Sequence, residues 1–382
     1  VNLLDRYILK SVLGACLAAV GLFAFVLMLG NALRDLLGYL LAGQISLGTF
    51  AWLIALLIPF VISYALPMGM LTGVLLTLGR LSADSEITAM RTAGLSLSRI
   101  ARPVILLGVL GAGLGLYVNL EAMPKARTQY ERELAAAVQA NPLSFIVPRT
   151  FIREFPGFVV YVGEIQGAAL RDFWLWELDD QRRVQRLVRA AEGRLDYDQT
   201  EHLLRLTLIE AQIELRNEDQ PEDFSEPPLV GTFGRSESVP LRLDNIFGRS
   251  GGVRQKLKWM TYGELTAAAA RVAAEPAPAD DADRPARELM KVRLTLQDKF
   301  TTAAAVFTFA LIGVPLGVRV SRRETSANLG IAVALALGYY FLTVAVNWLD
   351  RQPDLRPDLL LWLPNVALVL FAAWLFSRLE RH

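Results

Sequence analysis

Six stretches of this chain are apolar for about the 20 residues that a helix needs to cross the hydrocarbon of a bilayer. No other feature constrains the fold as much, because a backbone inside lipid finds no water and must satisfy its polar groups within its own helix. The stretches are residues 11–33, 36–79, 103–120, 300–318, 325–349 and 359–377. With 53% hydrophobic residues among 382 and a mean hydropathy of +0.35, the chain is more apolar than the core of a soluble domain requires, so the surplus faces lipid. Gly43, Gln44, Ser46 and Gly48 break the first part of the second stretch, leaving one long helix over about 50–79. Pro59 and Pro67 lie within it and predict a kink, by bilayer mismatch or as a hinge.

Lysine and arginine in short loops are retained on the cytoplasmic side. Arg6 and Lys10 precede the first span, Arg80, Arg91, Arg99 and Arg102 lie between the second and third, and Arg319, Arg322 and Arg323 between the fourth and fifth. Arg378 and Arg381 follow the sixth, while the alternate loops carry little or balanced charge. Both termini are therefore expected in the cytoplasm, with residues 1–123 and 299–382 forming two sets of three helices. The segment 124–298 between them is expected outside, in the periplasm of a Gram-negative inner membrane.

That segment begins as a helix continuing the third span and then changes at Asn141 and Pro142 to strand patterns. The run from Phe158 to Gly163 is β-rich, as is that from Phe173 to Leu178. Leu204, Leu206 and Leu208 alternate with polar residues, as do Ala211, Ile213 and Leu215, with a parity shift near Ile209 that predicts a bulge or a turn. Several short strands punctuated by Gly, Pro and Asp fit a sandwich, a jelly roll or an open barrel. Thr261 three residues before Glu264 forms a capping-box pattern ahead of an Ala-rich helix, and residues 275–287 read as a flexible linker.

Most chemistry is excluded. A net charge of +1 gives no field for a nucleic-acid partner, and the single cysteine, Cys16, forms no intrachain disulfide. His202 and His382 are too far apart in sequence to suggest a metal site, so no metal and no cofactor is expected on this chain. A phosphate loop is absent, since Gly-Lys does not occur, and the hydrolase motif HExxH is absent too. The chain is not expected to be an enzyme, and any ATP must be hydrolysed by a partner. The apolar runs hold no ionisable residue, which argues against a proton-coupled carrier.

The loop RLSADSEITAMRTAGLSLSRIARP from Arg80 is the informative one. Ser82, Asp84 and Ser85 as starters and Gly94 as a stop predict a short surface helix over about 83–93. Glu86 and Met90 share one face and Ile87 and Arg91 the next, which fits either a solvated amphipathic linker or a docking helix that offers an acid, a thioether and a base.

These residues resemble the LptF/LptG lipopolysaccharide export permeases. The likeness is carried by LDRYILK from Leu4, LPMGMLTGVLLTLGRLSADSEITAMRTAGLS from Leu66, GVPLGVRVSRRE from Gly313, LGYYF from Leu337 and WLPNVALVL from Trp362. The resemblance implies an α+β membrane protein with six transmembrane helices and a periplasmic β-jellyroll-like domain. It implies a permease subunit that pairs with a paralogous permease and a cytoplasmic ABC ATPase dimer, extracting lipopolysaccharide and passing it to a periplasmic jellyroll bridge protein. By the same resemblance Glu86, with Met90 and Arg91, takes the ATPase-coupling position, and Arg34 a substrate-binding one. Lys125, Arg127 and Arg132 are further candidates for the phosphates of the lipid. The readings kept beside this one are a membrane-anchored periplasmic scaffold or receptor and a permease for another lipid.

Overall fold

The structure is a computed structural model that describes residues 3–41, 43–140, 147–153, 157–166, 169–179, 183–198, 203–216, 227–235, 239–242, 257–274, 284–319, 325–352 and 355–380. Two compact units result, one of residues 1–34, 54–129 and 256–382, the other of residues 35–53 and 130–255. The helices are α1 (Leu3–Leu27), α2 (Leu33–Leu41), α3 (Leu47–Ala83), α4 (Glu86–Thr92), α5 (Leu97–Tyr117), α6 (Met123–Ala140), α7 (Tyr262–Ala274), α8 (Arg284–Arg319), α9 (Thr325–Asn347), α10 (Pro357–Leu360) and α11 (Leu363–Glu380). Among the described residues six helical segments are long and apolar enough to cross a membrane: Leu3–Gly30, Leu47–Ala83, Leu97–Ala137, Pro285–Arg319, Gly330–Asn347 and Pro357–Glu380. Together with an antiparallel sheet they make an α+β membrane protein.

Single-turn π-helical segments, Met28–Ala32 and Val118–Ala122, join α1 to α2 and α5 to α6 without a loop. Pro59 and Pro67 lie within an uninterrupted α3. Thr261 and Glu264 do form the reciprocal cap of α7: the Thr261 amide donates to Glu264 Oε2 at 2.8 Å and the Glu264 amide to Thr261 Oγ1 at 3.4 Å. Of the segment read as linker, residues 275–283 lie outside the described residues and Arg284 already opens α8.

Helix α8 is the axis of the helical unit. Its apolar window is 67% buried, against 17–39% for the other five. One core gathers Ile8 and Val12 of α1, Val74 and Leu78 of α3, Ile87 of α4, Ile100 and Val104 of α5 and Val306 and Ala310 of α8. A second joins Leu71 and Leu75 of α3 to Phe309 of α8, Ala336 and Tyr339 of α9 and Leu375 of α11. Lipid tails are as apolar as leucine, so burial alone does not hold such helices together, and close approach does. Along α3, Gly73 sits against α1 so closely that a Cβ there would lie 2.5 Å from the Cys16 Cα. On α8, a Cβ at Gly313 or Gly317 would come within 2.9 Å of Val74 or Leu78.

In the other unit the strands are β1 (Phe151–Ile152), β2 (Phe158–Gln166), β3 (Ala169–Leu178), β4 (Val184–Asp198), β5 (Leu203–Leu215), β6 (Leu229–Arg235) and β7 (Val239–Arg242). They form one antiparallel sheet in the order β1-β2-β3-β4-β5-β6, with β7 beside the first half of β5. One face buries Val160, Val162, Phe173, Val188, Ala190 and Leu208. The other carries an aromatic group in which Trp174 stacks on Trp176 and Arg189 lies 4.5 Å over the Trp174 ring.

The parity shift near Ile209 is neither a turn nor a bulge confined to one strand. Pairing skips the row Gly163, Asp172, Ala191, Glu210 and Gly234, and resumes beyond it in the same register on every strand from β2 to β6. Asp172 and Glu210 have φ of 51° and 52° in this row. Each strand takes one extra step there, so inward positions fall three apart, Leu170 and Phe173 on β3 and Leu208 and Ala211 on β5. The left-handed conformation costs a non-glycine residue roughly 1–2 kcal/mol. Glu210 is exposed and open to substitution. Glu210→Gly should hold or raise the apparent melting temperature in detergent, whereas Glu210→Val, a better strand former elsewhere, should lower stability by about 1–2 kcal/mol. Equal melting of the two variants would contradict the left-handed assignment.

Candidate functional site

The loop between the second and third spans is built as a hub. Leu78 and Leu81, fully buried, carry α3 through to Ala83. The start of the short helix therefore falls later than the sequence pattern predicts. Ser85 turns the chain at φ 63° and makes no side-chain cap, Ser82 Oγ donates instead to the Val318 carbonyl of α8 at 2.9 Å, and α4 runs Glu86–Thr92 rather than 83–93. Its end is as expected. Gly94 is left-handed at φ 87°, and the Leu95 amide reaches the Met90 carbonyl at 3.1 Å, the 6→1 bond of a Schellman stop. Ser96 then caps α5, accepting from the Arg99 amide.

The side chains of Glu86, Met90 and Arg91 on α4 turn toward the bundle. Glu86 accepts a hydrogen bond from the Tyr7 hydroxyl of α1 at 3.1 Å, Ile87 is 2% exposed, and Met90 packs on the core. Arg91 donates through a terminal guanidinium nitrogen to the Leu379 carbonyl at 3.0 Å, at the last turn of α11, where a cation also meets the negative end of the helix dipole. On α5, Ser98 donates to Glu380 and Arg99 lies 3.7 Å from Asp5. The acid, thioether and base thus bind α4 to α1, α11 and the core rather than standing free in solvent. What α4 and its flanks expose is Asp84, Thr88, Ala89, Thr92 and Ala93, a face of small side chains.

Three of the basic residues singled out for a phosphate head lie on α6. Lys125 on α6 pairs with Glu121 at 2.7 Å, and Arg127 stacks 4.7 Å from the Trp259 ring. Arg132 is exposed on α6. Arg34 belongs to α2, and its side chain lies outside the described residues.

The sequence profile of the lipopolysaccharide export system permease LptF/LptG family matches residues 6–378. This chain belongs to that family. It is 23% identical over 372 residues to the lipopolysaccharide export system permease protein LptF of Escherichia coli K12, spanning 96% of this chain and 92% of the relative. To the corresponding LptG protein of Haemophilus influenzae it is 26% identical over 215 residues, 54% of this chain and 57% of that one. An LptF/LptG permease is a membrane transport subunit and not itself the ATPase.

Sequence reading missed a buried polar network in this permease. Lys299 lies one residue before the fourth apolar run and is 6% exposed. Its ammonium donates to the Asn119 carbonyl at 2.9 Å and the Lys258 carbonyl at 3.2 Å. Asn119 falls in the π-helical segment of the third span, where the shifted backbone pattern offers its carbonyl to a side chain, and its own side chain takes the Ser63 hydroxyl of α3. Deeper in the bundle Asn365 donates to the Thr301 carbonyl at 3.1 Å and the Tyr339 hydroxyl at 3.3 Å, and accepts from Thr308 at 3.0 Å. Tyr339 and Asn365 stand in LGYYF and WLPNVALVL, so two stretches that carry the family likeness meet through one hydrogen bond. Lys299→Met should lower stability by on the order of 3 kcal/mol, because the buried Asn119 carbonyl and the part-buried Lys258 carbonyl lose their donor and the neighbouring Asp298 one of its two nearby cations. Thermal unfolding in detergent reads this, and an unshifted transition would show that the ammonium is dispensable.

Proposed function

We propose that this permease is one half of an ATP-driven exporter of lipopolysaccharide from the inner membrane. It pairs with a paralogous permease, receives force from a cytoplasmic ABC ATPase dimer at α4, and passes lipid through its periplasmic β-domain to a jellyroll bridge protein. The reading assigns no cofactor and no ATP chemistry to this chain. The single observation that carries it is the anchoring of α4. A push on this helix is transmitted through Glu86 to Tyr7 of α1 and through Arg91 to Leu379 of α11, and the neighbouring Ser82 ties α3 to Val318 of α8. A helix serving only as a linker has no need of such ties to the bundle. The orientation, both termini inside, rests on the basic residues at the α4 end of the spans.

Ala89 is exposed beside Thr88 and Thr92 on the face a partner reaches. Ala89→Arg should therefore abolish co-purification of the ATPase while leaving the melting temperature unchanged, and Glu86→Lys should also abolish it while loosening α1. Retention of the ATPase by both variants would remove α4 from the coupling role.

For the substrate, Lys125 and Arg127 already have neighbours that hold them, which favours Arg132 among the α6 residues as a ligand of the lipid phosphates, beside Arg34, which the family resemblance puts at a basic position. Arg34→Glu is expected to lower photocrosslinking of lipopolysaccharide several-fold, about the loss of one charge-assisted contact, with the ATPase still bound. Undiminished crosslinking would exclude Arg34.

A further inference from the structure

A groove of about 760 Å³ runs along the flank of α1 and α3 at the end nearest α4, lined by Tyr7, Lys10, Ser11, Gly14, Ala15, Leu76, Thr77 and Arg80. Tyr7, Lys10 and Ser11, Gly14 and Ala15 recur at helical spacing on α1, and Leu76, Thr77 and Arg80 form the matching stripe of α3. The groove therefore follows the helices and has two chemically different ends. At the α4 end stand two exposed cations, Lys10 and Arg80, with the Tyr7 hydroxyl between them and the coupling helix. Asp84 and Glu86 act on Tyr7 from beyond the groove, and neither lines it. Toward the membrane interior the wall is mostly apolar, made by Gly14, Ala15 and Leu76 with Thr77. Gly14 leaves open space, since a Cβ built there meets nothing within 4 Å, unlike Gly73 farther along the same helix pair.

We propose that this groove binds an anionic phospholipid, its phosphate held by Lys10 and Arg80 and its glycerol and upper acyl chain lying over Gly14 and Ala15. The volume lies within the range of small-ligand sites, about 300–1,000 Å³. A cationic mouth above an apolar slot matches a phosphate joined to a hydrocarbon chain, and fits neither a free ion nor a neutral lipid as well. Neither Arg34 nor Arg132, the residues proposed for the exported lipid, lines it. Through the Tyr7 hydroxyl, which lines the groove and donates to Glu86, occupancy bears directly on the seat of the coupling helix. The assignment of the site to the cytoplasmic leaflet rests on the orientation proposed above, but binding itself does not.

The test uses the full chain, delipidated in detergent and offered dioleoyl phosphatidylglycerol, dioleoyl phosphatidylcholine or inorganic phosphate, with retained lipid counted by native mass spectrometry. Wild type should retain phosphatidylglycerol over phosphatidylcholine by about thirtyfold, the order expected of two basic groups at an anionic headgroup. The double variant Lys10→Gln with Arg80→Gln should lose that preference. Gly14→Leu keeps both charges, fills the slot with a better helix former, and should lose phosphatidylglycerol while melting no lower than wild type. Equal retention of the two lipids, full displacement by inorganic phosphate, or undiminished binding by Gly14→Leu would each overturn the proposal. Detergent has no sides, so a wrong orientation leaves these results unchanged and shows instead in labelling of Lys10→Cys from one face of intact vesicles.

Discussion

Helices in a bilayer gain nothing by hiding apolar side chains from lipid, so the bundle of this permease stands on how closely its backbones approach. Gly73 against Cys16 and Gly313 and Gly317 against Val74 and Leu78 are where that approach is made. They place α1 on one flank of α3 and α8 on another. The rest follows from that triad: α8 becomes the buried axis, the remaining helices attach around it, and the few polar groups inside find partners at fixed places. Lys299 on the Asn119 carbonyl and Asn365 between Thr301, Thr308 and Tyr339 are such places.

At the α4 end hydrogen bonds add to this close packing. Ser82, Glu86, Arg91 and Ser98 connect the second loop to α8, α1 and the last turn of α11. This gives a seven-residue helix a purchase on the bundle that its own length could not provide. It also sorts its residues by role, the larger ones holding α4 in place while threonine and alanine meet whatever approaches from outside.

The spans were legible because a bilayer demands long apolar runs and little else produces them. The capping of α7 by Thr261 and Glu264 and the stop at Gly94 were legible because both are local. The start of α4 was misjudged since three candidate caps were weighed without the tertiary pull of Leu78 and Leu81, which keeps α3 helical past Ser82. Strand β4 escaped notice because two of its inward or row positions, Ala190 and Gly193, are too small to mark an alternating pattern. Lys299 looked like a boundary charge, since its acceptors, the carbonyls of Asn119 and Lys258, are remote from it along the chain. The separate fates of Lys125, Arg127 and Arg132 were hidden for a like reason, as a partner such as Trp259 is remote in sequence.

The skipped row across the sheet means that five strands share one change of phase. A deletion of one residue from β3 or β5 would not be absorbed as a shorter loop. Everything on one side of the row would exchange its dry face for its wet one, while the neighbouring strands kept theirs. Strand lengths in this domain are thus locked to one another, and the sheet admits change there only as a set.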